Sequence, residues 1–282
     1  MSTRSSTHRD GSRAAPATDR MDLALRGKAA VIGGASQGIG FAIARLLAAE
    51  GADVAMVARR RDPLDEAVAK ISAQGGGRAV AIAADIRKAD DCERIVASAH
   101  ASFGRLDVLV NNDGAPPLGR LDTFDDGAWS KAVEQNLMSV VRLTRHAVPH
   151  LRAAGGGSIV NITALSVLQP MPTFGLSVAT WAGVLGYAKT LSLEAAPDRI
   201  TVNTICPGRI ATGRLDKVFG AGSGSTPADE AARADMAKQI PMGRIGTPDE
   251  IAGLVAFLAS PWGAYITGSV FHIDGGRRAA VL

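Results

Sequence analysis

The most constraining feature of this chain is a glycine-studded turn between two regular patterns. The apolar run Ala29 to Ile32 leads into Gly33-Gly34-Ala35-Ser36-Gln37-Gly38-Ile39-Gly40, and a helical pattern follows from Phe41 to Glu50. A strand that turns at once into a helix needs backbone angles open chiefly to glycine. The helix that follows presents free N–H groups and a partial positive charge at its start. Such a turn lets the backbone approach a pyrophosphate, with Gly34, Ser36, Gln37, Gly38, Ile39 and Gly40 forming the cradle. Taken alone, the same spacing also suits a ligand-free turn, so its neighbours must decide.

Those neighbours repeat the strand-then-helix theme. Short β-like runs at Val54 to Val57, Ala79 to Ala83, Val108 to Asn111, Ser158 to Ile162, Val202 to Ile205 and Val270 to Ile273 alternate with helical patterns. The alternation implies right-handed crossovers and an α/β, Rossmann-like, doubly wound parallel sheet in a single domain. Ligands in such sheets sit at the carboxyl ends of the strands, where Asn111, Ile162 and Cys206 fall. Residues 1–20 lack apolar periodicity and read as a disordered tail, leaving 21–282 as the dinucleotide-binding domain. Gly/Ser-rich Phe219 to Pro227, followed by a helical pattern through Met236, suggests a lid around 213–240.

Charge and composition remove several function classes. Four arginines and two aspartates in the tail supply +2 of the formal +4, so the rest of the chain is only weakly basic and no nucleic-acid partner is expected. No apolar run reaches about 18 residues and no secretory pattern opens the chain, so neither a membrane span nor export is expected, and the expected address is cytoplasmic. Cys92 and Cys206 fit no metal spacing and read as structural. No metal is expected.

Further motifs recur in order along the chain: Asp85-Ile86, Asn111-Asn112-Asp113-Gly114, Asn136, and Pro207-Gly208-Arg209-Ile210-Ala211-Thr212. Near the end stand Arg244 to Ala252, Thr267-Gly268 and Asp274-Gly275-Gly276. Together with the glycine turn, over about Leu23 to Arg277, they resemble the short-chain dehydrogenase/reductase family. The resemblance implies a nicotinamide dinucleotide, with Asp85 and Ile86 beside the adenine and Asn111, Gly114, Pro207, Gly208, Ile210 and Thr212 completing the cofactor site. It also implies a homodimer or homotetramer formed through helices at Asp126 to Arg152 and Phe174 to Ala196. The second strand ends in Arg59 rather than a carboxylate, and a guanidinium there favours a ribose 2′-phosphate. NADP(H) is therefore expected over NAD(H).

The family's proton-handling residues are missing. The frame is fixed by Gly157 to Ile162 upstream and by Ala182-Gly183-Val184 and Leu191 to Glu194 downstream. The positions of the catalytic serine, tyrosine and lysine are then Ala164, Ser177 and Trp181. No shift of register recovers the motif, because Tyr187 and Tyr265 are the only tyrosines and neither has a lysine four residues on. Lys189 lies eight helical positions, roughly 12 Å, beyond Trp181. Ser177 reads as a space-filler. Trp181 reads either as a packed side chain or as an aromatic platform for a planar ligand. Asp113, where the family has a small residue, is either a general acid or base with a raised pKa or part of an Asx-type turn. Asn136 remains from the family's catalytic set, and His100, His146, His150 and His272 match no catalytic position.

Leu168, Pro170, Met171, Pro172 and Phe174 are expected to wall an apolar pocket suited to a hydrophobic, ring-containing small-molecule substrate. Three functions stay open. One is a non-standard biosynthetic enzyme for cyclisation, isomerisation or dehydration that keeps NADP(H) bound. The second is an NADP(H)-dependent oxidoreductase with a different proton donor. The third is a catalytically silent nucleotide-binding subunit.

Overall fold

A computed structural model describes residues 22–114, 116–219 and 226–280. The expected disordered tail and the Gly/Ser-rich centre of the expected lid lie outside the described residues. Seven strands form one sheet: β1 (Ala29–Ile32), β2 (Asp53–Ala58), β3 (Ala79–Ala83), β4 (Val108–Asn111), β5 (Gly157–Ile162), β6 (Ile200–Pro207) and β7 (Val270–Ile273). Their order is β3-β2-β1-β4-β5-β6-β7, with every pair parallel. The order reverses between β1 and β4, which opens a crevice at their carboxyl ends. Central strands read as unbroken apolar runs because helices cover both faces: β1 and β4 are buried throughout, and so are all residues of β6. On the edge, β7 alternates exposed with half-buried residues.

Helices α1 (Gly38–Ala49), α2 (Arg61–Ser72) and α9 (Pro248–Ala259) share one core with one face of the sheet, around Ile43, Leu47, Leu64, Met56 and Val255. On the other face α3 (Ala89–Phe103), α5 (Ser139–Ala153) and α6 (Gly175–Ala195) pack around Ile95, Leu109, Leu151 and Ile159. The helix expected from Phe41 begins at Gly38, so the last glycines of the turn form its first residues. The expected Asp126 to Arg152 helix is α4 (Asp126–Val133) and α5 joined by a π-helical turn, Glu134–Met138. Asp125 caps α4 by accepting from the Ala128 N–H at 2.7 Å. In the lid region α7 (Gly213–Phe219) and α8 (Pro227–Lys238) are tied by an Arg233–Asp216 ion pair.

Candidate active site

Because the strands are parallel, every turn that follows a strand lies on one edge of the sheet, and the motif residues gather there. Gly34 and Gly38 take left-handed backbone angles, with φ of 58° and 60°. A Cβ at Gly40 would stand 2.4 Å from the Gly34 carbonyl oxygen, so only glycine lets α1 start this close to the turn. The Asn112 side chain donates to the Gly33 carbonyl at 2.9 Å, and the Gly33 N–H donates to Val110 at 3.0 Å. The β4 end thus clamps the cradle. From the other side Thr212 closes in, since a Cβ at Gly38 would come within 3.4 Å of the Thr212 methyl carbon. Ile210 bridges to Gly246 as a short parallel pairing, which holds the loop after β6 in place.

At the adenosine end Arg59 is exposed one residue past β2, and no ion pair engages it among the described residues. Asp85 pairs with Arg87 at 2.6 Å. The Arg87 hydrogen bond, aided by the charge of Arg59, outweighs burial and holds the Asp85 carboxyl below its ordinary pKa. Ile86, Asn111 and Gly114 line one small cavity with the residues of the reaction end. Asn111 itself turns inward, where its amide donates to Asn161 at 2.8 Å and Thr144 at 3.3 Å. Its side chain fastens β4 to β5 and α5, leaving its backbone and position to serve the cleft.

The reaction end is rebuilt around an indole. Trp181 is 7% exposed and packs with Val140, Val184, Leu137, Ala164, Val167 and Tyr187. Ala164 packs against the small apolar cluster that Trp181 forms with Val140 and Val184. Trp181 fits both of its sequence readings, being packed among apolar residues and lining the cavity. Ser177 is 1% exposed with an unpartnered hydroxyl. Asn136 sits in the π-helical turn and donates to Thr180 at 2.8 Å, and Thr180 donates onward to the Leu176 carbonyl at 2.8 Å. The Asn136 side-chain oxygen is buried without a partner. Lys189 is remote, donating to the Gly268 carbonyl at 3.3 Å.

The cavity between these groups measures about 20 Å³, room for about one water, and is bounded by Ile86, Asp113, Gln135, Asn136, Thr163 and Trp181. Asp113 stands at its rim, reachable by solvent yet crowded by the cleft walls. That crowding pushes its carboxyl up to about 6, against the Gly114 N–H and the positive charge of Arg59. Arg214, in the first turn of α7, lies within electrostatic reach of Asp113. The Gly114 N–H lies beside the Asp113 carboxyl and partly offsets the upward push of burial.

A broader groove of about 570 Å³ lies between the start of α4 and the segment entering α6. Of the expected wall, Pro170, Met171 and Pro172 line it, whereas Leu168 and Phe174 do not; Leu121, Trp129 and Val178 take their place. Trp129 and Leu121 lie about forty and about fifty residues before the loop they face, and only tertiary packing brings them there. Among the described residues no group of three or more His, Cys, Asp or Glu is placed to hold a metal, and no helix is long and apolar enough to cross a membrane.

Residues 34–278 match the family model for enoyl-(acyl carrier protein) reductase. An uncharacterized oxidoreductase of Methylorubrum extorquens is 37% identical over 254 residues, covering 90% of this chain and 99% of the relative. The chain belongs to the short-chain dehydrogenase/reductase family. Two solved members of that family follow the same fold over nearly their whole length. L-sorbose reductase from Gluconobacter frateurii, complexed with NADPH and L-sorbose, superposes with a TM-score of 0.88 at 35% identity, covering 93% of this chain and 100% of that one. YwfH, an NADPH-dependent reductase involved in bacilysin biosynthesis, gives 0.84 at 28% identity, covering 90% and 99%.

Proposed function

We propose that this short-chain dehydrogenase/reductase is an NADP(H)-dependent oxidoreductase acting on a small, largely apolar, activated carbonyl compound, with Asp113 as its proton-handling group. The observation that carries the proposal is the shared cavity: a titrating carboxyl and the indole of Trp181 bound one space at the open end of an intact glycine cradle. Two relatives of like fold are described as NADPH-bound or NADPH-dependent reductases, which supports the same cofactor here. Arg59 suits its ribose phosphate, and the backbone of Gly34 to Gly40 with Thr212 suits its pyrophosphate.

When bound, the nicotinamide would supply or accept the hydride. The protein's own part is to orient the substrate and move one proton. A Ser177 hydroxyl titrates far too high to act as an acid at neutral pH, and its burial gives it no access. Asp113, with a carboxyl near 6, is close to the range that general acid–base chemistry favours. Loss of a strong acid beside the substrate oxygen is best tolerated when negative charge spreads over a conjugated system, so an enone suits the site better than an isolated ketone. The helix pair formed by α4–α5 and α6 supports assembly as a homodimer or homotetramer, which light scattering would test.

A second reading keeps NADP(H) bound while the site performs cyclisation, isomerisation or dehydration; the buried indole, a surface for a planar intermediate, favours it. Following NADPH absorbance with matched ketones and enones, alongside mass spectrometry of products, separates the two. Enone-dependent oxidation that drops at least about 10²-fold in Asp113→Asn supports the oxidoreductase. Product formation with no net NADPH consumption overturns it in favour of the second reading.

A further inference from the structure

The π-helical turn that carries Gln135 and Asn136 is held from behind by one arginine. Such a turn contains one residue more than the helix on either side, and contacts from outside the helix fix its shape. Arg142, in the first turn of α5, makes those contacts. Both of its terminal nitrogens donate to the Glu134 carboxylate at the first residue of the turn, Nη2 to Oε1 at 3.3 Å and Nη1 to Oε2. The same Nη1 donates to the main-chain carbonyl of Arg87 at 3.3 Å. The Arg142 side chain is only 16% exposed, so its guanidinium must find partners within the protein.

The two partners belong to different walls of the cleft. Arg87 closes the Asp85-Ile86-Arg87 segment after β3, where Asp85 lies within electrostatic reach of Arg59 and Ile86 lines the small cavity. That segment is tied down at each residue: the Asp85 N–H donates to Asp91 at 2.8 Å, the Ile86 carbonyl accepts from the Cys92 thiol at 3.1 Å, and the Arg87 side chain pairs with Asp85 at 2.6 Å. On the other wall, the residues after Glu134 each meet a different part of the reaction end. Gln135 lies beside Gly114, where an added Cβ would stand 3.4 Å from the Gln135 Nε2. Asn136 donates to Thr180 at 2.8 Å, and Leu137 packs against the cluster of Trp181. A rigid guanidinium fork holds two acceptors in fixed directions, which an ammonium on a flexible stem does less well.

We infer that Arg142 is a positioning residue that ties the adenosine end of the cleft to its reaction end, by holding the segment after β3 and the π-helical turn on one guanidinium. Arg142 lines neither the small cavity nor the groove, so it acts through the residues it holds. The inference rests on the NADP(H) reading above and adds a route by which the adenosine half of the nucleotide sets the surroundings of the other half. The route runs from the Arg87 carbonyl through Arg142 to Glu134, then along the turn to Leu137 and the Trp181 cluster. A contiguous chain of this kind permits coupling, and coupling is read as a response at one end to occupancy at the other.

The test uses 2′,5′-ADP, which carries the adenosine half and its ribose phosphate but no nicotinamide. It is titrated into the full-length protein bearing Trp129→Phe and Trp262→Phe, which leaves Trp181 as the one indole, with calorimetry and fluorescence read on the same samples. Trp181 emission should shift as 2′,5′-ADP binds, and the two titrations should follow one curve. In Arg142→Met the shift should be lost while the affinity for 2′,5′-ADP falls by no more than about tenfold, the scale of one hydrogen bond. Glu134→Ala frees the turn without touching the segment after β3, and it should lose the shift as well; combining the two substitutions should add little. Arg142→Lys should keep part of the shift. Binding without a shift in the parent protein, or a full shift in correctly folded Arg142→Met or Glu134→Ala, overturns the inference. No binding of 2′,5′-ADP at all would overturn the cofactor reading and the inference with it, and calorimetry separates that outcome from binding without a shift.

Discussion

The two ends of one cleft obey different rules. At the nucleotide end the chain is held to glycine by backbone contacts: at Gly40 an added Cβ would meet a carbonyl oxygen at 2.4 Å, at Gly33 the Asn112 carbonyl at 2.6 Å, and no neighbour can give way. At the other end the contacts are between side chains. Trp181 lies in an apolar cluster against which Ala164 packs, and Ser177 is buried. A backbone-defined site can be kept or lost but hardly modified, whereas a side-chain-defined site can be repacked into a new one. The same fold can thus hold one ligand constant while its chemistry changes.

Four changes would break or sharpen this contrast. The largest expected effect is on stability, from Trp181→Ala: emptying a buried indole site should cost about 3 to 5 kcal/mol in denaturant unfolding while leaving NADPH affinity within a few-fold. A fall in NADPH affinity as large as the fall in stability would mean that the two ends are not separable. Next comes Gly40→Ala, expected to cost about 1 to 3 kcal/mol through forced backbone displacement and to abolish measurable NADPH binding. Unimpaired binding would refute the claim that the cradle is fixed by its backbone. Arg59→Ala should leave folding intact and remove about 1.5 to 3 kcal/mol of the preference for NADPH over NADH; equal affinities in the wild type would remove the charge argument.

The smallest effect concerns Asp113. Its folded carboxyl is raised from 3.8 to about 6, so its contribution to stability is complete below about 3.8 and is lost as pH rises through about 6. Asp113→Asn should flatten that stretch of the thermal-stability profile. In the wild type, turnover that needs the protonated acid should decline above about pH 6, and an unchanged profile in Asp113→Asn would assign the titration to another group.

Much of the fold was legible because strands at the centre and at the edges of the sheet alike are short apolar, β-forming runs set between helical patterns. Four of the seven strands begin and end where those runs do: Ala29–Ile32, Ala79–Ala83, Val108–Asn111 and Val270–Ile273. The ends of β6 were less legible, because Ile200 and Thr201 at its start and Pro207 at its close are buried strand residues that a run of β-formers does not reveal. The candidate cofactor residues are fixed by local turns and are visible in sequence. Residues that act across elements are not: Asn112 gripping Gly33, Thr180 holding Asn136, and Leu121 and Trp129 walling the groove carry no local pattern.

The hydrogen bond from Asn112 to the Gly33 carbonyl has a consequence beyond holding a turn. The next residue in the chain is Asp113, so the grip on the nucleotide and the titrating carboxyl are one peptide unit apart. A nucleotide seated in the glycine turn would therefore load the same short segment that carries Asp113. A shift of the Asp113 titration on adding NADPH, read as a change in the pH dependence of thermal stability, is the expected consequence.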